Sequence, residues 1–278
     1  MTGATVHETH GDGPPVILIH GLGLNRHMWQ WQVPALSDQF KIITYDLLGH
    51  GDSDKPSGAY EMSQMVEQIE QLMSELEIDN AAMVGFSLGG LIVRAFALAH
   101  PGKITAMVIL SSAHARSVEQ RESILQRMSQ VAAGGAEATV DESLHRWFTE
   151  EFSKHHPETL ATVKSWVLAN DPKVYAEVYR LLAEGDVGLE LSIADIRCPV
   201  LIATGEEDHG NSVAMAEDMA ALMPNAKVAV LSGLRHMALA EDPNAVNSLL
   251  LSFLREQPGA ADCTNPHAEP GHEKTNYR

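Results

Sequence analysis

Six apolar runs recur along the chain, each short and nearly continuous rather than alternating with polar residues. They are PVILIH (15–20), KIITYD (41–46), AAMVGF (81–86), ITAMVIL (104–110), PVLIAT (199–204) and KVAVLS (227–232). Runs of this kind are typical of strands covered on both faces. Apolar residues at helical spacing follow at 65–76 and at 88–100. This alternation predicts an α/β fold, in which a mostly parallel sheet is flanked by helices and binds its ligand at the carboxyl ends of the strands.

A long stretch between the fourth and fifth runs has no strand pattern. From 117 to 191, four successive segments carry apolar residues at helical spacing. This predicts a helical insertion at 117–191 between two parts of an α/β core, residues 1–116 and 192–256. Because the insertion leaves the sheet at its carboxyl edge, we expect it to cover the site as a lid. Residues 257–278 lack apolar periodicity, and we expect them to be disordered.

Composition restricts the partners of the protein. A chain of 278 residues with 45% hydrophobic content can form one large globular unit. The formal net charge of −18 at pH 7 would repel nucleic acid and anionic membrane surfaces. Neither a signal-peptide pattern nor an apolar run of about 20 residues is present, and Cys198 and Cys263 suggest no disulfide framework. We therefore expect a cytoplasmic protein that acts on a small molecule and does not bind membranes; assembly into a homo-oligomer is left open.

The stretch AAMVGFSLGG at 81–90 places Ser87 between Gly85 and Gly89. An apolar strand ends just before the serine, and a helix is predicted to begin at Leu88. Small residues two positions away on both sides indicate a backbone turn so sharp that side chains there would collide. A strand-to-helix turn of the form G-x-S-x-G lifts a nucleophilic serine above the edge of a sheet.

On this stretch and three others, the sequence resembles the α/β-hydrolase superfamily over roughly residues 13–255. HGLGLNRHMW (20–29) is similar to the family's His-Gly segment, DLLGHGDSD (46–54) to its Asp-x-x-Gly-x-Gly-x-Ser loop, and GEEDHG (205–210) to the loop that carries its catalytic acid. The resemblance implies an α/β-hydrolase fold with an inserted helical lid. It also implies a serine-dependent hydrolase.

A serine hydroxyl is a weak nucleophile near neutral pH and needs a neighbouring base that is oriented by an acid. In this superfamily the order along the chain is serine, carboxylate, histidine, each at the end of its own strand. The carboxylates that follow PVLIAT are Glu206, Glu207 and Asp208, of which the family's spacing favours Asp208, with Glu207 as the alternative. The loop histidine after KVAVLS is His236. Ser87, Asp208 and His236 are therefore the predicted catalytic residues.

The negative charge that develops on a carbonyl oxygen during acyl transfer needs hydrogen-bond donors. One donor is expected to be the backbone N–H of Leu88, directly after the nucleophile. The resemblance implies the N–H of Leu22 as the second donor, with His20 shaping that loop. No cofactor and no metal ion is implied, because the mechanism needs none and the selected acidic and histidine residues form no compact ligand cluster.

Within the superfamily, the sequence resembles the 3-oxoadipate enol-lactonase group. RWFTEEF (146–152) is similar to the Arg-Trp-Phe-Thr stretch of that group's lid, whereas LSSAHAR (110–116) lacks the Asn-Thr pair of its corresponding loop. The resemblance implies a substrate with a free carboxylate. Arg26, Arg116 or Arg146 would bind this group by charge-assisted hydrogen bonds.

Two tryptophans complete the expected substrate contacts. Trp147 is adjacent to Arg146 in the lid stretch, and Trp29 either lines an apolar wall of the site or anchors the next helix to the core. We predict cleavage of an ester or enol-lactone bond of a small molecule, carboxylated or not, through an acyl-enzyme on Ser87. The alternatives are hydrolysis of an amide-like or carbon–carbon bond in a ring-cleavage product, cofactor-free perhydrolysis, and a non-enzymatic receptor for a small ligand.

Overall fold

The computed structural model describes residues 3–257. Its strands are β1 (His7–His10), β2 (Pro15–Ile19), β3 (Lys41–Tyr45), β4 (Ala81–Phe86), β5 (Ile104–Leu110), β6 (Val200–Gly205) and β7 (Ala226–Leu231). Its helices are α1 (Val33–Leu36), α2 (Met62–Glu75), α3 (Leu88–Ala99), α4 (Val118–Gly134), α5 (Val140–Trp147), α6 (Glu150–His155), α7 (Pro157–Leu168), α8 (Pro172–Glu184), α9 (Leu189–Ser192), α10 (Val213–Leu222), α11 (Ala238–Glu241) and α12 (Pro243–Arg255). Short 3-10 helices lie at Arg26–Trp31, Pro101–Lys103, Ala136–Ala138 and Ile193–Asp195. Across residues 3–257, no helix is both long and apolar enough to cross a membrane.

The strands form one seven-stranded sheet in the order β1-β3-β2-β4-β5-β6-β7. Neighbouring strands are parallel except at one edge, where β1 pairs antiparallel with β3. Every residue of the central strand β4 is buried, and so is every residue of β6. Such strands need cover on both faces, which flanking helices such as α3 and α10 supply. The predicted α/β fold with a mostly parallel sheet is confirmed.

The strand limits follow the hydrophobic pattern closely. Each predicted strand is present within one residue of its expected limits, and the helical patterns at 65–76 and 88–100 correspond to α2 and α3. The additional strand β1 was not predicted, because its sequence HETH contains no apolar run. Hydrogen bonding to β3, rather than burial of apolar side chains, makes this segment a strand.

Between β5 and β6 the chain folds into the helices α4 to α9, and residues 111–199 contain no strand. The apolar faces expected in this segment supply buried residues, namely Ile124, Val131, Leu144, Phe148, Val163, Val167, Val174, Val178 and Leu181. The two helices that pack together most extensively here are α4 and α8. The division into a core and a lid stays a prediction. Of the tail expected to be disordered, Gln257 is described and half-buried, and residues 258–278 lie outside the described part of the chain.

The parallel strands place their carboxyl ends along one edge of the sheet. The loop or turn after β4 contains Ser87, the loop after β6 contains Asp208, and the loop after β7 contains His236. Residues that are distant in sequence therefore meet at this edge.

Candidate active site

Ser87 occupies the turn between β4 and α3. Its φ of 54° and ψ of −111° lie in a region that residues other than glycine rarely adopt. Such a conformation costs about 1–3 kcal/mol and persists only where the surroundings hold it. Its N–H donates to the carbonyl oxygen of Leu110 at the end of β5, 2.9 Å away, which fixes the turn to the sheet. The serine consequently stays at the sheet edge, where it lines a cavity.

The two glycines beside Ser87 allow three backbone segments to approach one another. A Cβ atom on Gly85 would lie 2.3 Å from the carbonyl oxygen of Gly89, and one on Gly89 would lie 2.2 Å from that of Ile19. Both distances are far below van der Waals contact, and the atoms met belong to the backbone, which cannot rotate away. The G-x-S-x-G pattern is therefore a steric requirement of this turn.

The loop after β2 packs against the Ser87 turn. A Cβ atom on Gly21 would lie 2.9 Å from Cδ1 of Phe86 and 3.2 Å from Cβ of Ser87, and both Gly21 and Leu22 line the cavity. On the other side of the turn, Leu88 is the first residue of α3, where backbone N–H groups lack intrahelical acceptors. The N–H groups of Leu22 and Leu88 thus belong to segments that meet at the serine.

His20 orients the peptide group between Gly21 and Leu22. The N–H of Leu47 donates to Nε2 of His20 over 2.9 Å, so that Nδ1 carries the proton and donates to the Gly21 carbonyl oxygen over 2.8 Å. In a trans peptide the C=O and N–H point in opposite directions. Because His20 binds the oxygen from the protein side, the Leu22 N–H is directed away from His20. Complete burial lowers the pKa of His20, which keeps it neutral for this role.

A second buried imidazole holds the next residue of the same loop. The N–H of Gly23 donates to Nε2 of His50 over 3.0 Å. Nδ1 of His50 lies 3.4 Å from the carbonyl oxygen of Leu48. Burial, assisted by the neighbouring His20, lowers the pKa of His50 to about 3. His50 was not identified from the sequence, since a histidine in a loop carries no local sign of burial.

Asp208 and His236 form a buried pair. Nδ1 of His236 lies 2.7 Å from Oδ2 of Asp208, and the two residues are only 6% and 4% exposed. The other carboxylate oxygen of Asp208 accepts the backbone N–H groups of Gly210, at 3.2 Å, and Asn211, at 3.1 Å. These bonds fix the carboxylate so that it receives the Nδ1 proton and leaves Nε2 of His236 as the basic nitrogen.

Asn211 belongs to this arrangement and was missed by sequence reasoning. Its Nδ2 lies 3.1 Å from Nδ1 of His236 and 3.4 Å from either carboxylate oxygen of Asp208. The hydroxyl of Thr204 donates to its carbonyl oxygen over 2.7 Å, which anchors the residue to β6. Its position three residues after the predicted acid was the available signal.

A cavity of about 330 Å³ opens at this edge of the sheet. It brings together most of the residues singled out from the sequence. These are Leu22, Ser87, Arg116, Arg146, Trp147, Asp208 and His236. Its lining also includes residues that the sequence did not indicate, among them Ile124, Arg127, His145, Tyr179, Leu182 and Asn211.

Two of the expected substrate contacts lie elsewhere. Trp29 is completely buried in the hydrophobic core and does not line the cavity, so the expectation that it contacts substrate is not supported. The reason is that the 3-10 helix Arg26–Trp31 turns Met28 and Trp29 inward. Arg26 forms ion pairs with Glu8, Asp46 and Asp52 and is likewise absent from the lining.

The cavity lining is rich in cations. It contains Arg116, Arg127, Arg146 and Arg235, and among residues 3–257 the only carboxylate in the lining is that of Asp208, which is bonded to His236. Arg116 is paired with Asp186 at 3.7 Å, and Arg146 with Glu142 at 2.5 Å.

Arg127 is the least neutralised of these cations. Within the described residues, no carboxylate lies within 4.0 Å of its guanidinium, which donates to Ser123 Oγ over 2.9 Å. Burial, and after it the charge of Arg146, lowers the pKa of Arg127. A bound anion near Arg127 would offset the unfavourable effect of a neighbouring positive charge.

Metal-binding side chains are not grouped in the described part of the chain. Among residues 3–257, no three His, Cys, Asp or Glu residues are placed to hold one ion. The cavity presents two hydroxyls, three imidazoles and four guanidinium groups instead.

The chain is similar to known proteins in sequence and in structure. Residues 14–243 match the sequence profile of the family described as alpha/beta hydrolase fold. The chain is 28% identical over 249 residues to the (E)-2-((N-methylformamido)methylene)succinate hydrolase of Acinetobacter baylyi, covering 89% of this chain and 93% of that protein. It superposes on the enol-lactonase from Burkholderia xenovorans LB400 with a TM-score of 0.85 and 28% identity, over 91% of this chain and 96% of the other. A thermophilic esterase from Thermogutta terrifontis, solved with malate bound, gives a TM-score of 0.84 and 26% identity, over 90% and 93% of the two chains.

Proposed function

Because the chain belongs to the alpha/beta hydrolase fold family, we propose that it is a serine hydrolase that cleaves an ester or enol-lactone bond through an acyl-enzyme on Ser87. The observation that carries the proposal is the buried Asp208–His236 pair, 2.7 Å apart, on the same cavity as a serine held at positive φ. A buried acid that orients a histidine, with a strained serine beside it, is the arrangement that activates a hydroxyl.

The first half of the reaction forms the acyl-enzyme. Oγ of Ser87 attacks the acyl carbon while its proton passes to Nε2 of His236, and the carboxylate of Asp208 stabilises the resulting imidazolium. The N–H groups of Leu22 and Leu88 bind the oxyanion, and each such donor is worth about 3 kcal/mol. When the intermediate collapses, the bond to the leaving oxygen breaks and that oxygen takes the proton from Nε2.

The second half releases the acid. A water molecule gives a proton to Nε2 of His236 and attacks the acyl carbon. Collapse of the second oxyanion breaks the bond to Oγ of Ser87, which recovers the proton. The enzyme returns to its starting state with one bond hydrolysed.

The substrate is a small molecule that carries a carboxylate besides the acyl group. This is supported by the four arginines in the lining and by the fact that the described part of the chain contributes no carboxylate to it except that of the engaged Asp208. Arg127 and Arg146 are the residues we assign to the carboxylate, because both line the cavity and, among residues 3–257, Arg127 forms no ion pair. Arg146 is also paired, with Glu142, but its side chain is 37% exposed, whereas that of Arg116 is only 6% exposed and donates to the carbonyl oxygen of Leu182 as well, so Arg116 is better suited to holding the structure together.

Hydrolysis of an amide-like bond is the second candidate. One observation favours it: the A. baylyi relative is named as an (E)-2-((N-methylformamido)methylene)succinate hydrolase, and that name contains both an amide nitrogen and a dicarboxylate. The same nucleophile, base and oxyanion donors serve this reaction, with the proton delivered to nitrogen instead of oxygen.

We also propose that residues 117–191 act as the lid, since residues of α4, α5 and α8 line one side of the cavity and Ser87 the other.

Labelling and turnover test the proposal together. A fluorophosphonate should add to the peptide that contains Ser87, as seen by mass spectrometry, and turnover of 4-nitrophenyl acetate should vanish in Ser87→Ala. Labelling that is absent from the wild-type protein, or turnover that survives in Ser87→Ala, would refute the acyl-enzyme. Saturable binding of carboxylated ligands without any turnover would instead support the receptor.

A further inference from the structure

The loop that carries His236 is bonded on both sides of that residue to one turn of the helical segment. Nη1 of Arg235 donates to the carbonyl oxygens of His145, at 3.0 Å, and Phe148, at 2.9 Å. The N–H of Met237 donates to the carbonyl oxygen of Trp147, at 2.9 Å. We call residues 145–149 the anchor turn. The backbone position of the proposed base is therefore set by the anchor turn as well as by the sheet.

Glu241 closes this connection with its carboxylate. Oε1 accepts the backbone N–H of Arg235 at 3.1 Å, and Oε2 accepts both the N–H of Thr149, at 3.0 Å, and its hydroxyl, at 2.6 Å. Charge-assisted bonds of this kind are about twice as strong as neutral ones. One side chain thus joins the residue before His236 to the end of the anchor turn, and it does not itself line the cavity.

The anchor turn also carries the arginine assigned to the substrate. Arg146 lines the cavity, while the next residue, Trp147, binds Met237 through its carbonyl oxygen and places its ring 6.0 Å from that of His236. The arginine that faces the cavity and the carbonyl group that holds the His236 loop therefore belong to consecutive residues of the anchor turn.

We propose that Glu241 is a positioning residue that couples the anchor turn to His236, so that a substrate carboxylate held at Arg146 sets the base for proton transfer. The inference rests on the proposed function and deepens it. Binding energy from a remote group of the substrate is then used to orient a catalytic group, and it raises kcat rather than only lowering KM. Glu241 is in this way a determinant of specificity for carboxylated substrates, although it does not touch them.

Two esters with acyl chains of equal length provide the test: 4-nitrophenyl hydrogen adipate, which has a terminal carboxylate, and 4-nitrophenyl hexanoate, which has none. In the wild-type enzyme we expect a higher kcat for the adipate ester. In Glu241→Gln, one acceptor oxygen and the negative charge are lost, and the ratio of the two kcat values should fall about tenfold. The KM for the hexanoate ester should not change.

Glu206→Gln is the matched control. Glu206 also accepts a backbone N–H in the loop of the base, that of Gly233 at 3.0 Å, but its contacts do not reach the anchor turn. This variant should keep the wild-type ratio. If Glu241→Gln does not fold, as judged by its thermal melt, Thr149→Val removes the hydroxyl bond to Glu241, together with the cap bond that this hydroxyl accepts from the N–H of Phe152, and should lower the ratio in the same direction.

The outcomes separate the two proposals. Equal kcat values for the two esters in the wild type, or equal losses on both in Glu241→Gln, would overturn the coupling while leaving the serine mechanism intact. Turnover of either ester by Ser87→Ala would overturn the proposed function itself. A merely structural role for Glu241 would lower the melting temperature and both rates together, without changing their ratio.

Discussion

The carboxylate of Asp208 lies 2.7 Å from Nδ1 of His236, whereas the adjacent carboxylate of Glu207 turns away to Arg235, 3.5 Å from its Nε. Two neighbouring acids in one loop thus have different partners. Asp208 is buried and Glu207 is exposed, so that only the former can hold an imidazolium in a medium of low dielectric constant.

Replacing each of these acids separately tests the choice between them. In Asp208→Asn the shape is kept but the acceptor for the Nδ1 proton is lost, so kcat should fall by about 10³–10⁴. In Glu207→Gln, kcat should stay within about twofold, because exposed ion pairs contribute little. Steady-state kinetics with 4-nitrophenyl acetate measures both. The reverse order of effects would make Glu207 the acid.

The need for glycine beside Ser87 predicts a loss of stability when a side chain is added there. A Cβ atom in Gly89→Ala would meet the carbonyl oxygen of Ile19 at 2.2 Å, and we expect the free energy of unfolding to drop by about 2–3 kcal/mol. Gly102→Ala is the control, since an added Cβ there would meet nothing within 4 Å and its change should be within about 1 kcal/mol. Urea denaturation gives the free energy of unfolding of both variants. Equal losses in Gly89→Ala and Gly102→Ala would show that the turn tolerates side chains.

The assignment of Arg127 to a substrate carboxylate predicts a selective loss of affinity. In Arg127→Met, the KM for 4-nitrophenyl hydrogen adipate should rise about 10–100-fold, the worth of a charge-assisted hydrogen bond, while that for the hexanoate ester should not. Arg180→Met is the matched control, because Arg180 pairs with Glu177 and Glu184 and does not line the cavity. An unchanged KM for the adipate ester in Arg127→Met would remove Arg127 from the site.

Burial of His50 predicts a specific pH dependence of stability. Its pKa falls from an ordinary 6.5 to about 3 in the folded protein, so the unfolded chain binds a proton in this window and the folded chain does not. The stabilisation of the folded state that comes from keeping His50 neutral is complete above pH 6.5. As the pH falls from there towards 3, the free energy of unfolding decreases by up to about 1.4 kcal/mol per pH unit.

Urea titrations at several pH values check this dependence. His50→Gln cannot take up the proton, and its free energy of unfolding should vary less steeply with pH across the window. His155→Gln, on the exposed surface of α6, should follow the wild type. An unaltered slope in His50→Gln would mean that His50 is not buried as a neutral group.

Much of the fold could be predicted because its signals are local. The run AAMVGF and the residues after it specify a strand, a sharp turn and a helix within one short segment, and β4, Ser87 and α3 follow in that order. The resemblance to α/β hydrolases, including the enol-lactonases, is confirmed by the family match and by the relatives. The strand β1 escaped prediction, because its formation depends on a partner strand distant in sequence.

The cavity was predicted less completely than the fold. Arg127 and Tyr179 lie on α4 and α8, and which side of each helix faces the serine is decided by how the two helices pack together. For Trp29, the sequence allowed either a place in the wall of the site or a place in the core. The structure buries Trp29 in the core.

The sequence by itself determined the order of strands and helices, the turn at Ser87, and the loops that carry Asp208 and His236, because hydrophobic period and glycine sterics act between near neighbours. Only the tertiary structure decided which cations face the cavity, that two buried imidazoles hold the loop of Leu22, and that Glu241 joins the base to the anchor turn. Those relationships arise where segments separated by tens or hundreds of residues pack together. Contacts of this kind are stabilised by packing between distant segments, so no local sequence pattern predicts them.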